Sequence, residues 1–323
     1  MLRFNFNNVY FKEFKIDNLL DQENKRNCSD FISLLGILYF HFTKRLSEKN
    51  IKVKLVVEWY ENQVIDRGMI KGFHTFYKNT PIHGYQGYII SKDLHIYTQP
   101  NQSEFNSGVV PDKVFVTGDG LKNNILEFCD KINVDVAPGF RFKKVFEKNK
   151  KKEKNKIFSI LLGLPIGLDD SMMILNMFIN NMKHNINYFV KPHPTYSEDQ
   201  IKSLFINNDF GSFQFVKGDF HNILNNVDLV VSNASSICLE SLAKSVPVIL
   251  IAPKTGIIQN PIPIEVSDKI WKLANNYQEL DCYINYFKDL DYTNLENQFK
   301  FVKDNYFEPV TRRGILKFLN LKA

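Results

Sequence analysis

The sequence predicts an α/β protein of two Rossmann-like, doubly wound domains, on three observations. Short apolar runs such as 157–162 and 247–251 recur along the chain, as buried strands of parallel sheets do. Between them lie stretches of helical periodicity. Polar loops follow the runs directly, as in Pro192-His193-Pro194 after 188–191 and Ser232-Asn233-Ala234-Ser235-Ser236 after 228–231. In open parallel sheets such loops, at the carboxyl ends of strands, are where ligands bind. A chain of 323 residues also exceeds what one core usually holds, so two domains are expected.

Taken in order, residues 9–16 alternate weakly and predict a strand, and 17–49 predict one long helix with Phe31, Leu34, Leu35, Leu38 and Phe42 on one face. Residues 51–59 form the next expected strand. Glu61-Asn62 then opens a helix to about Tyr77, because acidic and amide side chains favour that position. Short strands are expected at 81–83, 94–97 and 113–117, with Gly84–Tyr88 a flexible aromatic loop and Gly118-Asp119-Gly120 a turn. The lysine-dense 141–156 stretch reads as solvated charge. Its core, 146–156, is taken as the linker between an N-terminal α/β domain, 1–145, and a second α/β domain, 157–323.

The second domain opens with the strand 157–162 and a glycine-bearing turn, Gly163 to Gly167, ahead of a helix over 169–183. A glycine in a first strand–helix turn permits close approach of a phosphate. Strand 188–191, helices at 198–206 and 220–226, a short strand at 213–216, strand 228–231, a helix from Ile237 to about Lys244 and strand 247–251 complete a βαβ series. The tail, 297–318, reads as a helix that packs back across the first domain.

Composition excludes several classes. With 44% hydrophobic and 24% charged residues, the chain has ample core material and is not disordered. Its four cysteines, Cys28, Cys129, Cys238 and Cys282, are too scattered for a zinc knuckle or a disulfide framework. The longest apolar run, 31–42, is shorter than the ~20 residues that span a bilayer. The opening residues lack the basic and apolar regions of a signal peptide, so a cytoplasmic protein is expected. The formal charge of +6 suits a polyanionic substrate or peripheral contact between the lysine-dense stretch and the inner membrane surface, or is simply a lysine bias. Nothing points to nucleic acid.

Among candidate residues, His193 sits between prolines that rigidify its loop, and imidazole can donate a hydrogen bond to phosphate. Lys191 adds charge beside it. Ser235 and Ser236 suit phosphate contact, a helix N-cap, or both. Glu240 lies one turn after Ser236 and shares its side. In the first half, Glu61 is the candidate general base for attack by a hydroxyl, with Glu58 as the alternative; Glu61 equally suits a helix start. His83 and Tyr85 are candidates for lining the acceptor side. Asp289-Leu290-Asp291 lies outside any expected strand, so it reads as a turn and no metal or other cofactor is expected.

The segment Ser235-Ser236-Ile237-Cys238-Leu239-Glu240-Ser241-Leu242-Ala243-Lys244-Ser245-Val246-Pro247-Val248 resembles the nucleotide-sugar-binding segment of GT-B glycosyltransferases. Ser245 stands where those proteins usually carry glycine. Together with Lys191-Pro192-His193-Pro194, it is similar to the two donor-site motifs of bacterial sialyltransferases, polysialyltransferases and Kdo transferases of capsule assembly. The resemblance covers roughly 157–252. It implies a GT-B fold and a nucleotide-sugar donor, a CMP-activated acidic sugar foremost. The donor would be held by Gly163, Lys191, His193, Ser235 and Ser236, with Glu240 on the ribose. It further implies transfer to a hydroxyl of a surface polysaccharide or lipid-linked glycan. Other readings are a UDP- or GDP-sugar transferase, a sugar-nucleotide 2-epimerase, a CMP-dependent glycerophosphotransferase, and a non-enzymatic glycan-binding protein.

Overall fold

The structure, a computed structural model, describes residues 6–27, 31–89, 96–147, 157–179, 181–204, 213–233, 235–253, 256 and 260–321. Most of the lysine-dense stretch, 148–156, and Cys28 therefore lie outside the described residues.

A small antiparallel hairpin, β1 (Tyr10–Phe11) and β2 (Phe14–Lys15), opens the chain. The long helix expected over 17–49 is two helices, Asp17–Asn27 and Phe31–Glu48. The second packs on Val64–Phe76 through a seam of small residues. There Gly68 lies so close to Gly36 that a Cβ would come 2.0 Å from the Gly36 carbonyl oxygen.

The first sheet is wholly parallel and runs in chain order, β3 (Val56–Trp59), β4 (Ile82–Gln86), β5 (Lys113–Val116) and β6 (Val134–Val136). Strand β4 takes in most of the expected aromatic loop, because His83, Tyr85 and their neighbours are buried on both faces of the sheet. Ile96–Thr98 is a 3-10 turn rather than part of a strand; residues 94 and 95 lie outside the described ones.

The second sheet holds β7 (Phe158–Gly163), β8 (Ile186–Lys191), β9 (Phe213–Phe215), β10 (Leu229–Ser232), β11 (Val248–Ile251) and β12 (Trp271–Ala274). Its order, β12-β11-β10-β7-β8-β9, is all parallel. This is the doubly wound arrangement, in which the order reverses at β7. Apolar residues alternate between its faces. Ile160, Leu162, Val231 and Ile249 pack in one cluster with the Leu168–Ile179 and Tyr277–Asp289 helices. Leu161, Val230 and Val248 join a second cluster that continues into the first domain.

That continuity comes from the junction and the tail. Phe140–Phe146 is a 3-10 segment that takes in the start of the stretch expected to be solvated, 141–156, and its Phe142 ring meets Phe307 at 5.2 Å. Burial of Phe142 and Val145 draws the segment out of solvent. The tail is two helices, Glu296–Tyr306 and Arg312–Phe318. Phe318 packs among His83, Tyr85 and Phe115 of the first sheet. Among the described residues no helix is long and apolar enough to cross a membrane.

Candidate active site

Three strand ends meet at one edge of the second sheet. Gly163 ends β7 and pairs in register with Lys191, which ends β8. The Ser232 hydroxyl, at the end of β10, donates to the Gly163 carbonyl at 2.6 Å. Gly163 has a packing reason to be glycine: a Cβ there would sit 2.2 Å from Ile237 Cδ1, on the first residue of the Ile237–Ala243 helix. The glycine thus lets the loop after β10 close down against the end of β7. Gly163, Lys191 to His193 and Ser235 to Glu240 are brought to a shared edge, at the strand reversal.

His193 is fixed by its own loop. The Thr195 backbone N–H donates to Nδ1 at 3.3 Å, and Thr195 Oγ1 lies 2.8 Å from the same nitrogen. Nδ1 therefore accepts and Nε2 carries the proton, ready to donate. Burial lowers the His193 pKa, and the charge of Arg141, from the first domain, lowers it further. Both effects favour the neutral imidazole. Beside it a cavity of about 390 Å³ is lined by Lys191, His193, Tyr196, Phe215, Lys217 and Gly218, among others.

Lys191 does not point freely into that cavity, since its ammonium donates to the Gly218 carbonyl at 2.8 Å. Burial lowers its pKa, with Asp219 opposing. Asp219 in turn takes the Lys144 ammonium at 2.8 Å, which holds the carboxylate below its ordinary range. The loop after β9 is thereby tied both to β8 and to the domain junction.

Ser235 and Ser236 divide their work. The Ser235 hydroxyl stands 3.5 Å from the Ile237 amide, at the limit of a hydrogen bond. Ser236 does not cap its helix; its hydroxyl donates to Glu240 Oε1 at 3.1 Å. The other carboxylate oxygen, Oε2, lies 3.0 Å from His221 Nε2, and both side chains are about nine-tenths buried. Ser245 adopts φ +60°, the left-handed conformation that glycine enters without steric cost, which explains why glycine is usual at that place in proteins it resembles.

The first-domain candidates separate. Glu61, two residues beyond β3, has a half-buried carboxylate that accepts from Trp59 Nε1 at 2.8 Å and Gln63 Nε2 at 2.6 Å. These partners belong to its own turn, and no contact among the described residues joins it to the donor-side edge. Glu58 is buried with both oxygens unpartnered. Burial first, and the charge of Asp66 next, push its pKa up to about 9, so at neutral pH it is protonated and is no base. His83 and Tyr85 do not line an open acceptor surface. The Phe318 carbonyl lies 2.7 Å from His83 Nδ1, and Tyr85 donates to the Pro138 carbonyl at 2.9 Å. Both are buried anchors for the last helix and the β6 end, and burial raises the Tyr85 pKa to about 12. His221, Arg141, Lys144 and Asp219 were not singled out from the sequence; His221 lies in an ordinary helix start with no motif around it. Among the described residues no group of three or more His, Cys, Asp or Glu could hold a metal ion.

Two parallel α/β sheets, the second with its loops gathered at the strand reversal, define the fold as a pair of Rossmann-like domains. Solved structures share this fold. The S. aureus MnaA–UDP structure is similar over 91% of this chain and 83% of that one, with a TM-score of 0.57 and 14% identity. The UDP-GlcNAc 2-epimerase from Methanocaldococcus jannaschii is similar over 88% of this chain and 81% of that one (TM-score 0.54, 16% identity). The kitacinnamycin glycotransferase is similar over 91% and 84% (TM-score 0.55, 10% identity). No protein-family model and no curated protein matches the chain. Likeness at these identities is likeness of fold, and the chain has the GT-B fold.

Proposed function

We propose that this chain is a glycosyltransferase that uses a nucleotide-sugar donor, bound at the edge where β7, β8 and β10 end. The observation that supports the reading is that Gly163, the loop carrying His193 and the loop carrying Ser235, Ser236 and Glu240 all stand at the carboxyl ends of the neighbouring strands β7, β8 and β10. His193 donates to the donor phosphate and stabilises the charge that grows on the leaving nucleotide. The Ser235 hydroxyl supports the same phosphate, and Glu240 accepts from the ribose. Lys191 acts through the Gly218 carbonyl, by holding the loop after β9 in place. The acceptor is a hydroxyl of a surface polysaccharide or lipid-linked glycan, deprotonated by Glu61 as it attacks.

The finer donor class is a CMP-activated acidic sugar, on the resemblance of Lys191-Pro192-His193-Pro194 and Ser235-Ser236. A uridine diphosphate sugar is the second reading, favoured by the similarity of fold to a UDP-bound protein and to a UDP-GlcNAc 2-epimerase. Thermal shift with CMP, UMP, UDP, GDP and ADP separates them, because a nucleotide at a hundred times its Kd stabilises by about 2.7 kcal/mol. The largest shift with CMP supports the first. The largest with UDP supports the second, and interconversion of the sugar nucleotide without any acceptor then marks an epimerase. Silence from every nucleotide refutes the proposal. With an acceptor in hand, Glu61→Gln is expected to lower turnover by ~10²–10⁴-fold while leaving nucleotide binding intact; full turnover removes Glu61 from the mechanism.

A further inference from the structure

Glu240 is held by two partners, one on each oxygen. Ser236 Oγ donates to Oε1 at 3.1 Å, and His221 Nε2 lies 3.0 Å from Oε2. An ionised carboxylate only accepts, so Nε2 carries the proton in this contact. With one donor per oxygen, rotation of the carboxylate about its terminal bond would break both contacts. The plane of the group is therefore set from outside its own helix. A carboxylate has about four acceptor positions; these partners use two and leave two, which matches the two hydroxyl donors of a vicinal diol.

Packing alone gives no reason for a histidine at 221. The side chain is buried, and its second nitrogen, Nδ1, has no hydrogen-bond partner, a state that burial disfavours. Leucine or phenylalanine would fill the place without an orphaned polar atom. The backbone that carries the ring is pinned as well: the Asp219 carboxylate accepts from the His221 N–H at 3.1 Å and grips Lys144, while Lys191 holds the Gly218 carbonyl.

We infer that His221 is a positioning residue: it fixes the Glu240 carboxylate so that its two remaining acceptor positions receive the 2′ and 3′ hydroxyls of the donor's ribose. The inference rests on the nucleotide-sugar reading above. It makes the site selective for ribonucleotides through a residue that need not touch the ligand.

The test is calorimetric titration of the full chain with CMP and UDP and with the 2′,3′-dideoxy form of each, using whichever base binds more tightly. Two variants are compared. His221→Gln places an amide donor near the Nε2 position and can still reach Glu240. His221→Asn is polar too but falls short. The wild type is expected to prefer the ribo form by about 10- to 100-fold, as hydrogen bonds to a charged group imply. His221→Asn should reduce the preference to less than about threefold without weakening the dideoxy form, and His221→Gln should retain most of it. An Asn variant with the wild-type preference overturns the inference. So does equal weakening of both ligand forms, which would mark a purely structural residue. A wild type that binds a nucleotide without preferring the ribo form refutes the ribose assignment alone, whereas no binding of any nucleotide refutes the donor-site reading itself.

Discussion

The sharpest physical test of the first domain is Glu58→Gln. The carboxyl is buried in β3 with no partner on either oxygen, and its pKa rises from an ordinary 4.5 to about 9. Between those values the folded chain keeps a proton that the unfolded chain releases. Linkage then lowers folding stability by about 1.4 kcal/mol for each pH unit. The sign is that of a raised acid: the contribution is intact below pH 4.5 and is lost progressively as pH climbs towards about 9. Over the whole window this amounts to something on the order of 6 kcal/mol. Glutamine keeps the shape and cannot ionise, so the difference in stability between variant and wild type isolates this one group. From pH 6 to pH 8.5 that difference should move by about 3 kcal/mol in favour of the variant. Urea denaturation followed by tryptophan fluorescence, from Trp59 in the same strand and Trp271 in β12, reports it. Stability curves that run parallel to within about 0.5 kcal/mol would refute the argument, by showing that Glu58 is ionised or hydrated in the folded chain.

Other expectations follow from close contacts and backbone geometry. Gly68→Ala should destabilise by roughly 3 kcal/mol or more, since its Cβ would meet the Gly36 carbonyl oxygen at 2.0 Å and force the Phe31–Glu48 helix away; a melting temperature within a degree of wild type would refute the seam. Gly163→Val should cost about 1–3 kcal/mol by pushing on Ile237, and it should weaken nucleotide binding, which calorimetry reads directly. Ser245→Gly should stabilise by about 1 kcal/mol, because the residue sits at φ +60°; differential scanning calorimetry should show a rise of roughly 2 °C, and a fall would mean that the serine hydroxyl contributes more than the strain costs.

How far the site could be read from the chain alone depends on how local each contact is. The run from β10 through Ser235 and Glu240 to β11 is one βαβ unit, and its loop must fall at the carboxyl end of the strands whatever the rest of the molecule does. The same holds for Gly163 at the end of β7 and His193 after β8. Apolar runs and turn residues were enough to place these, because period and chain direction are properties of short segments.

Tertiary structure alone decided the rest. A period of two says that His83 and Tyr85 share a face of β4, but not that this face is sealed by a helix 235 residues further on. Nor does it say that Glu58 is left beneath the surface without a donor. The 141–146 stretch reads as solvated charge until Phe142 and Val145 are seen to pack at the junction, with Lys144 turned towards Asp219. The contact of His221 with Glu240 joins two helices that lie on either side of β10 in the chain. Its strength depends on burial and on the absence of competing water, which are set by how the whole sheet is packed and not by any residue's neighbours in sequence.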